Sequence, residues 1–449
     1  MRITHFEVQD FRNIVRANVD FGKVNIITGK NSSGKSNFLL ALTHALSLDK
    51  DYSKIFNDNI VTYQPGKSHA IFRTTLGDID QSVLFRGGDK FIYISSKEFR
   101  FEKIIEKKTA ASKSHKLFFT GSVAEMPAAD LKNFEDQDLF AELAKQATAI
   151  KDKEVYSEKL SQNIEAPNTK VVNIDSGNVE HQDKYRILFS DYISRVKSWM
   201  GNFSFSSNLI YQFVTTRPNN DVYEQVVEYL KSENKRRHSL TPFDKSQFIF
   251  LVADIQKDEK LKSEYQKDLA LYTRGIVNDV SISVEGRFGN KGEMLVDSPQ
   301  GPKDVHTLST GTAVLLYFIT LKNWLKANHL SRSYEPPAIM IFDEVESILH
   351  PSLMEEFCEL IRSISQNIQL FVSTHSPRFI DYFEKSEVFL LKDTPSLPGP
   401  NGSVNRCNIY SFEEIIKSLP EKRQPEIMET PNSELFIDAT IDLIFPSHD

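Results

Sequence analysis

A glycine-bounded octapeptide, Gly29–Ser36 with the sequence GKNSSGKS, constrains the fold of this chain more than any other feature. A strand-like stretch, Val24–Thr28, precedes it, and a segment with apolar residues at helical spacing begins at Asn37. A strand, a glycine loop and a helix in this order form a loop whose backbone N–H groups converge on phosphate oxygens. The pattern therefore predicts an α/β fold in which this loop follows a parallel strand.

Each part of the octapeptide has an expected role. Gly29 and Gly34 allow a backbone path that larger residues would block, Lys35 reaches the β- and γ-phosphates, and the Ser36 hydroxyl binds Mg²⁺. ATP and Mg²⁺ are the predicted cofactors. The residues predicted to bind the nucleotide here are Gly29, Lys30, Asn31, Ser32, Ser33, Gly34, Lys35 and Ser36. The alternative, a chance glycine turn, is disfavoured by the strand before the loop and the helix after it.

Acidic and imidazole side chains follow two later apolar strands. Asp343 and Glu344 come directly after the apolar run 338–342, and His375 follows the run 370–372. Ligands of parallel sheets gather at the carboxyl ends of the strands. We therefore expect Asp343 to hold Mg²⁺ through water, Glu344 to orient or deprotonate the attacking water, and His375 to contact the γ-phosphate. A histidine in such a turn is otherwise usually structural.

A second anion site is predicted before the apolar helix Val314–Leu325. Ser309 and Gly311 lie in the segment LSTGT, where backbone N–H groups at a helix N-terminus would attract an anion. The phosphate loop already supplies one anion site for the nucleotide of the same chain. A second anion site is explained if it faces the γ-phosphate that another copy of the chain holds. This predicts two ATP molecules sandwiched in a two-fold homodimer. The alternative is an ordinary serine helix cap.

Composition excludes several classes of protein. The net charge is −7, from 54 basic and 61 acidic residues, which disfavours a globally basic DNA-binding protein. Cys358 and Cys407 lack the spacing of a metal site and fit a reduced compartment. The first residues alternate polar and apolar, unlike a signal peptide, and no apolar run reaches the length of a membrane helix. A cytoplasmic protein without a membrane partner is expected.

Hydrophobic patterning divides the chain into five segments. Short strand-like runs within 68–120 predict an antiparallel β subdomain. The predicted segments are an ATPase lobe with the phosphate loop and β subdomain (1–120), a helical insertion (121–208), a returning strand with a helical arm (209–275), a second part of the ATPase lobe (276–400) and a C-terminal tail (401–449). The Pro/Gly-rich stretch 395–401 is expected to interrupt the chain.

In this order, the motifs resemble those of the ABC-type ATPases of the RecF, chromosome-maintenance and OLD group. The similarity covers residues 1–46, about 209–223 and 276–380. It implies an ABC-type ATPase head with a P-loop parallel sheet, an antiparallel β subdomain and an inserted helical arm.

The resemblance also assigns residues outside the phosphate loop. It implies that Arg12 and Asn13 approach the nucleotide, and that the loop from Glu346 to Pro351 couples two ATP sites across a dimer. The glutamine that links nucleotide state to the moving lobe is less well marked. Gln212 is the candidate, and Gln64 and Gln81 compete with it.

Two segments, 308–312 and 343–351, are most similar to the stand-alone OLD-like ATPases, which include the ATPase subunits of the PARIS and Septu anti-phage systems. This implies a dimer or a ring of dimers that holds a separate effector nuclease and releases it on sensing a phage. The segment after His375 is too short for the TOPRIM nuclease domain of OLD nucleases, so no nuclease is expected in this chain. A RecF-like repair ATPase and an ATP-held scaffold with little turnover are the alternatives.

Lysine clusters suggest double-stranded DNA as a further candidate partner, since phosphate contacts need only positive charge. One cluster is Lys103, Lys107, Lys108, Lys113 and Lys116, and the other is Lys231, Lys235, Arg236, Arg237 and His238. Solvated faces balanced by nearby acids are the alternative. The acidic tail 421–449 is either a docking segment for a partner or a final helix packed on its own lobe.

Overall fold

A computed structural model describes the chain in several stretches, and its strands and helices are numbered within these stretches. The described residues are 2–31, 33–46, 69–77, 83–87, 90–106, 113–127, 155–156, 170–175, 203–206, 245–285, 291–326, 339–399 and 402–440. The chain forms two compact units. The first comprises Met1–Phe11, Arg16–Asp20 and Ser47–Trp199, and the second comprises Arg12–Val15, Phe21–Leu46 and Met200–Asp449.

The strands are β1 Arg2–Phe11, β2 Ile14–Asp20, β3 Val24–Gly29, β4 His69–Gly77, β5 Val83–Gly87, β6 Lys90–Glu106, β7 Lys113–Pro127, β8 Val155–Tyr156, β9 Lys170–Asp175, β10 Phe203–Ser206, β11 Asp279–Glu285, β12 Lys291–Asp297, β13 Lys303–Asp304, β14 Ile339–Asp343, β15 Gln369–Thr374, β16 Val388–Gly399 and β17 Gly402–Ser411.

The α-helices are α1 Lys35–Leu46, α2 Lys245–Gln256, α3 Glu259–Tyr272, α4 Thr310–Lys326, α5 Met354–Ser365, α6 Pro377–Ile380, α7 Phe412–Lys417, α8 Gln424–Glu429 and α9 Asn432–Thr440. Short 3₁₀ turns span Val305–Thr307, Val345–Ile348 and Pro351–Leu353.

A mostly parallel sheet organises the second unit. Its order is β10-β14-β15-β3-β16-β17, and the last strand alone among these runs antiparallel to its neighbour. Every residue of β3 and β15 is buried, as expected of central strands in a parallel sheet. The predicted strands at 24–28, 338–342 and 370–372 are thereby confirmed. The parallel P-loop sheet of the α/β fold class is confirmed as well.

Helix α4 forms the centre of the core of the second unit. Its residues Thr312–Leu325 are all buried, which confirms the helix predicted from the apolar run there. Helices α2 and α3 pack against α4. The part of the predicted arm that the structure describes, 245–272, therefore lies in this core. Most residues of α3 are polar or charged, but its buried residues lie along one face of the helix. They are Leu261, Tyr265, Leu269 and Tyr272.

Buried polar contacts fix α4 against these two helices. The Trp324 Nε1–H donates to Asp254 Oδ2 over 3.0 Å, and the Tyr265 hydroxyl lies 2.7 Å from Thr320 Oγ1. Such groups tolerate burial only when they are paired, so they specify one arrangement of the helices.

The first unit contains the predicted antiparallel β subdomain, and its pairing confirms that prediction. Strand β4 pairs with β1 and β6, and β7 pairs with β6 and β9, all antiparallel. Lys103 on β6 is only 1% exposed, so this lysine is not available for the predicted DNA contact.

The described parts of the predicted helical insertion (121–208) are strands. Strand β7 crosses the boundary proposed at residue 120, and β9 lies within the segment that was expected to be helical. The expectation of a helix is wrong there because Val171, Val172 and Ile174 favour an extended backbone that β7 can pair with.

The C-terminal region packs on its own unit. The Asn432 side chain donates to the carbonyls of Ile380 and Phe383, and Leu435 is buried. For 421–440 the structure thus agrees with the alternative of a final packed helix. In the Pro/Gly-rich stretch β16 continues to Gly399, which pairs with Gly402 of β17, so the expected interruption is a reversal of the chain between two paired strands. No helix in the described stretches combines the length and apolarity needed to cross a membrane.

Trp324→Phe is expected to lower the free energy of unfolding by about 1–3 kcal/mol, because the Asp254 carboxylate, 2% exposed, loses its indole donor. Tyr265→Phe is the matched control. Its loss should be smaller, since Thr320 Oγ1 still donates to the Leu316 carbonyl. Urea denaturation followed by circular dichroism measures both, and an unchanged Trp324→Phe variant would contradict the expectation.

Candidate phosphate site

The loop between β3 and α1 requires glycine at both ends. Gly34 has φ +103°, and a Cβ there would lie 2.7 Å from Asn13 Nδ2 and 3.1 Å from Cys407 Sγ. A Cβ on Gly29 would lie 2.5 Å from Ser33 Oγ. Side chains at either position would therefore force the loop away from its neighbours. These contacts support the roles that the sequence assigns to the two glycines.

Lys35 lies inside this loop and is only 5% exposed. Its Nζ donates to the carbonyls of Gly29 and Lys30 over 3.1 and 3.2 Å, and it lies 3.7 Å from Glu344 Oε1. An open pocket of about 430 Å³ adjoins the ammonium group. Its lining residues are Asn31, Gly34, Lys35, Ser36, Asn37 and Glu344.

The two predicted metal ligands are in direct contact. Ser36 Oγ donates to Asp343 Oδ2 over 3.0 Å, and Ser373 Oγ donates to Asp343 Oδ1. The register of the sheet explains the second contact, because Asp343 at the end of β14 pairs with Ser373 on β15. Hydroxyl and carboxylate oxygens of this kind suit Mg²⁺.

Glu344 adopts a left-handed backbone conformation, with φ 50° and ψ 39°. Its N–H bonds to the carbonyl and hydroxyl oxygens of Ser373, and its Oε1 lies 3.4 Å from His375 Nδ1. This conformation is uncommon for a residue with a long side chain and is frequent at functional sites. The structure thus brings together Lys35, Glu344 and His375, as the sequence predicts.

Glu346 was assigned only to a coupling loop, but its carboxyl lies 2% exposed beneath the site. Thr374 Oγ1 donates to its Oε1, while its Oε2 has no hydrogen-bond partner among the described residues. Burial raises the pKa of Glu346, and the hydrogen bond from Thr374 opposes this shift. No local pattern in the sequence indicates this contact, since the two residues lie on different elements.

Arg12 and Asn13 form a turn beside the phosphate loop. The Arg12 Nη1 donates to Asn37 Oδ1 over 2.7 Å, and Asn37 Nδ2 donates to Asn13 Oδ1 over 2.8 Å. Asn13 Nδ2 lies 3.5 Å from the Ser33 carbonyl. Burial lowers the pKa of Arg12. Sequence reasoning missed Asn37, which links this turn to the first turn of α1.

Ser309 lies at the exposed N-terminus of α4. Its Oγ accepts from the Thr312 N–H over 3.3 Å and lies 2.8 Å from Thr312 Oγ1, so it caps the helix. Neither Ser309 nor Gly311 is among the residues that line the pocket at Lys35. Two other predicted site residues, Ser32 and Gln212, lie outside the described residues, as do the competing Gln64 and Gln81.

Two curated proteins are similar to part of the chain. The probable ATPase of retron Ec83 from Escherichia coli is 26% identical over 188 residues, covering 38% of this chain and 33% of that protein. The DNA replication and repair protein RecF from Clostridium acetobutylicum is 32% identical over 112 residues, covering 24% of this chain and 30% of that protein. The chain therefore spans about a third of the length of each relative.

Solved structures of Smc head domains are also similar. An Smc head bound to the C-terminal winged-helix domain of ScpA has a TM-score of 0.49 at 13% identity, covering 93% of this chain and 100% of that one. An Smc head from Pyrococcus furiosus, with an extended coiled coil and bound to the C-terminal domain of ScpA, has a TM-score of 0.48 at 13% identity, covering 94% of this chain and 99% of that one.

The family comparison covers the complete candidate site. The sequence model of the AAA ATPase domain matches residues 1–380, a range that includes the phosphate loop, the acid pair and His375. The chain belongs to the AAA ATPase domain family.

Proposed function

We propose that this chain binds ATP with Mg²⁺, hydrolyses it, and uses the nucleotide to hold two copies of itself together. The observation that carries the proposal is the convergence on one pocket of a buried lysine, a hydroxyl–carboxylate pair and a second carboxylate. Phosphoryl transfer needs mainly positioning and charge stabilisation, and these groups supply both.

The residues at the pocket fit both cofactors. Lys35 and the loop N–H groups at the start of α1 would hold the phosphates, and the first turn of α1 carries no acidic residue that would repel them. Ser36 and Asp343 would hold Mg²⁺, which neutralises charge on the phosphate oxygens when bound. Glu344 would then orient or deprotonate the attacking water, and His375 would contact the γ-phosphate. Arg12 and Asn13 brace the loop and approach the nucleotide from the side of α1.

The exposed position of Ser309 supports a shared site. A serine and the following N–H groups at the N-terminus of a 17-residue helix attract anions, yet they do not line the pocket at Lys35 of the same chain. A second copy related by two-fold symmetry would bring Ser309 and Gly311 to the γ-phosphate. The resulting homodimer, or a ring of such dimers, would contain two ATP molecules.

We further propose that this assembly restrains a separate effector nuclease in anti-phage defence in the cytoplasm. The similarity to the probable ATPase of a retron supports this role, as does the resemblance of 308–312 and 343–351 to stand-alone OLD-like ATPases. The similarity to RecF favours a second candidate function, DNA repair, in which double-stranded DNA is the partner. Gln212 remains the proposed link between nucleotide state and the moving lobe.

Glu344→Gln should retain ATP binding but lower kcat by about 10²–10⁴-fold, because the amide cannot accept a proton from water. The variant should also accumulate as an ATP-bound dimer. ATP binding, phosphate release and sizing chromatography with ATP and Mg²⁺ measure these effects. Lys35→Ala, which should lose ATP binding, is the control. Wild-type turnover, or dimerisation no stronger than that of wild type, would refute the assignment.

Mixing two inactive variants tests the shared site. Lys35→Ala damages one half of each site and Ser309→Arg damages the other half. A mixed dimer then keeps one site with both halves intact. Statistical pairing predicts recovery of about a quarter of the wild-type ATPase rate, since half of the dimers are mixed and one of their two sites is intact. Activity no greater than the sum of the separate variants would argue against two-fold sharing.

Purification from the native operon distinguishes the two candidate roles. Defence predicts a stable complex with a co-encoded protein, whose nuclease activity changes when Glu344→Gln replaces the wild-type chain. Repair predicts tight, salt-sensitive binding to gapped DNA without such a protein. Mass spectrometry of the purified complex and a DNA-binding titration are the measurements. Gapped-DNA binding by a chain that purifies alone would count against the defence role.

A further inference from the structure

Two hydroxyl–carboxylate bonds join neighbouring residues of β15 to the acidic segment that begins with the last residue of β14. The first runs from Ser373 Oγ to Asp343, a predicted metal ligand. The second runs from Thr374 Oγ1 to Glu346, which the proposed mechanism does not use. Asp343 and Glu346 therefore each accept a hydrogen bond from one hydroxyl of β15. The bond to Asp343 belongs to the predicted metal site, whereas the bond to Glu346 has no role in the proposed mechanism.

The Thr374 hydroxyl also controls the turn that contains His375. While its proton is donated to Glu346, its oxygen accepts from the Ser376 N–H over 3.0 Å. This second bond closes the backbone around His375. Because one oxygen makes both bonds, the position of the Glu346 carboxyl and the path of the His375 turn are coupled.

The other end of the coupling is Glu344. Its carbonyl accepts from the Ser347 N–H over 3.2 Å and from Ser347 Oγ over 2.7 Å, so a closed turn carries both Glu344 and Glu346. The Glu344 carboxylate in turn lies 3.4 Å from His375 Nδ1. A displacement of Glu346 would therefore change the separation of Glu344 and His375.

Packing alone does not account for an acid at this position. Glu346 is 2% exposed, and its Oε2 has no hydrogen-bond partner in the described part of the chain. A buried carboxyl with one unsatisfied oxygen is unfavourable for stability, whereas an apolar side chain would carry no such penalty. The role of the Glu346 carboxyl therefore lies in its hydrogen bond with the Thr374 hydroxyl.

We infer that Glu346 is a positioning residue, which acts through Thr374 to set His375 against the water-activating Glu344. The inference rests on the proposed ATP hydrolysis. Glu346 is not among the residues that line the pocket at Lys35. Its effect should therefore fall on kcat, while binding of ATP, which depends on the loop at Lys35, should change little.

Thr374→Val removes the hydroxyl but keeps the shape, and it should lower kcat about 10- to 100-fold with KM for ATP changed less than about twofold. Thr374→Ser restores the hydroxyl and should recover most of kcat. Glu346→Gln keeps an oxygen that accepts from Thr374 and should stay within about threefold of wild type, whereas Glu346→Ala should match Thr374→Val. The double variant Thr374→Val/Glu346→Ala should be no slower than either single variant, because both changes remove the same hydrogen bond.

Thermal unfolding midpoints identify any variant that fails to fold. If Glu346→Ala does not fold, Thr374→Val, which is the mildest change, still tests the inference. A folded Thr374→Val variant with wild-type kcat, equal losses in Thr374→Ser and Thr374→Val, or additive losses in the double variant would overturn the inference.

A second measurement does not depend on turnover. The His375 imidazole resonances, assigned in histidine-labelled protein with a His375→Gln variant, should shift in Thr374→Val and return in Thr374→Ser. Unchanged resonances in Thr374→Val would overturn the positioning role. If wild-type protein shows no ATPase activity but these shifts occur, the proposed function fails and the positioning link stands.

Discussion

The parallel pairing of β14, β15 and β3 is the constraint on which the candidate site depends. It sets Asp343 beside Ser373 and Thr374 beside Thr28, just before the phosphate loop. Because parallel strands end at the same edge of a sheet, residues more than 300 positions apart in the chain meet there. A shift of one residue in this register would turn each of these side chains to the other face of the sheet.

The electrostatics of the site follow from this placement. A nearly buried ammonium group needs partners, and Lys35 has two loop carbonyls and the Glu344 carboxylate. The same group faces the pocket where phosphates would bind. Glu344 reaches Lys35 and His375 with one oxygen, so it lies between the phosphate loop and the predicted γ-phosphate contact.

Motif positions were predictable because each motif is a local pattern. The glycine loop, the acids after an apolar run and His375 after the next run could be placed from the alternation of apolar strands and polar turns. Extended segments with weak patterns were harder. Strand β9 lies in a segment that was expected to be helical, and its pairing with β7 supplies the stabilisation that its short sequence does not indicate. Lys103 was expected to be exposed, but its place on the inward face of β6 buries it.

The sequence by itself determined the class of site, since a complete phosphate loop flanked by a strand and a helix has few other uses. It also indicated the α/β architecture, through the apolar run 338–342 and the almost entirely apolar α4. Only the tertiary structure decided that Asn37 braces the loop, that Glu344 takes a left-handed conformation, and that Glu346 bonds to Thr374. The contacts of Asn37 and Glu346 join residues from separate elements. A hydrogen bond between distant segments does not change the hydrophobic periodicity of either segment, so the sequence pattern does not indicate it.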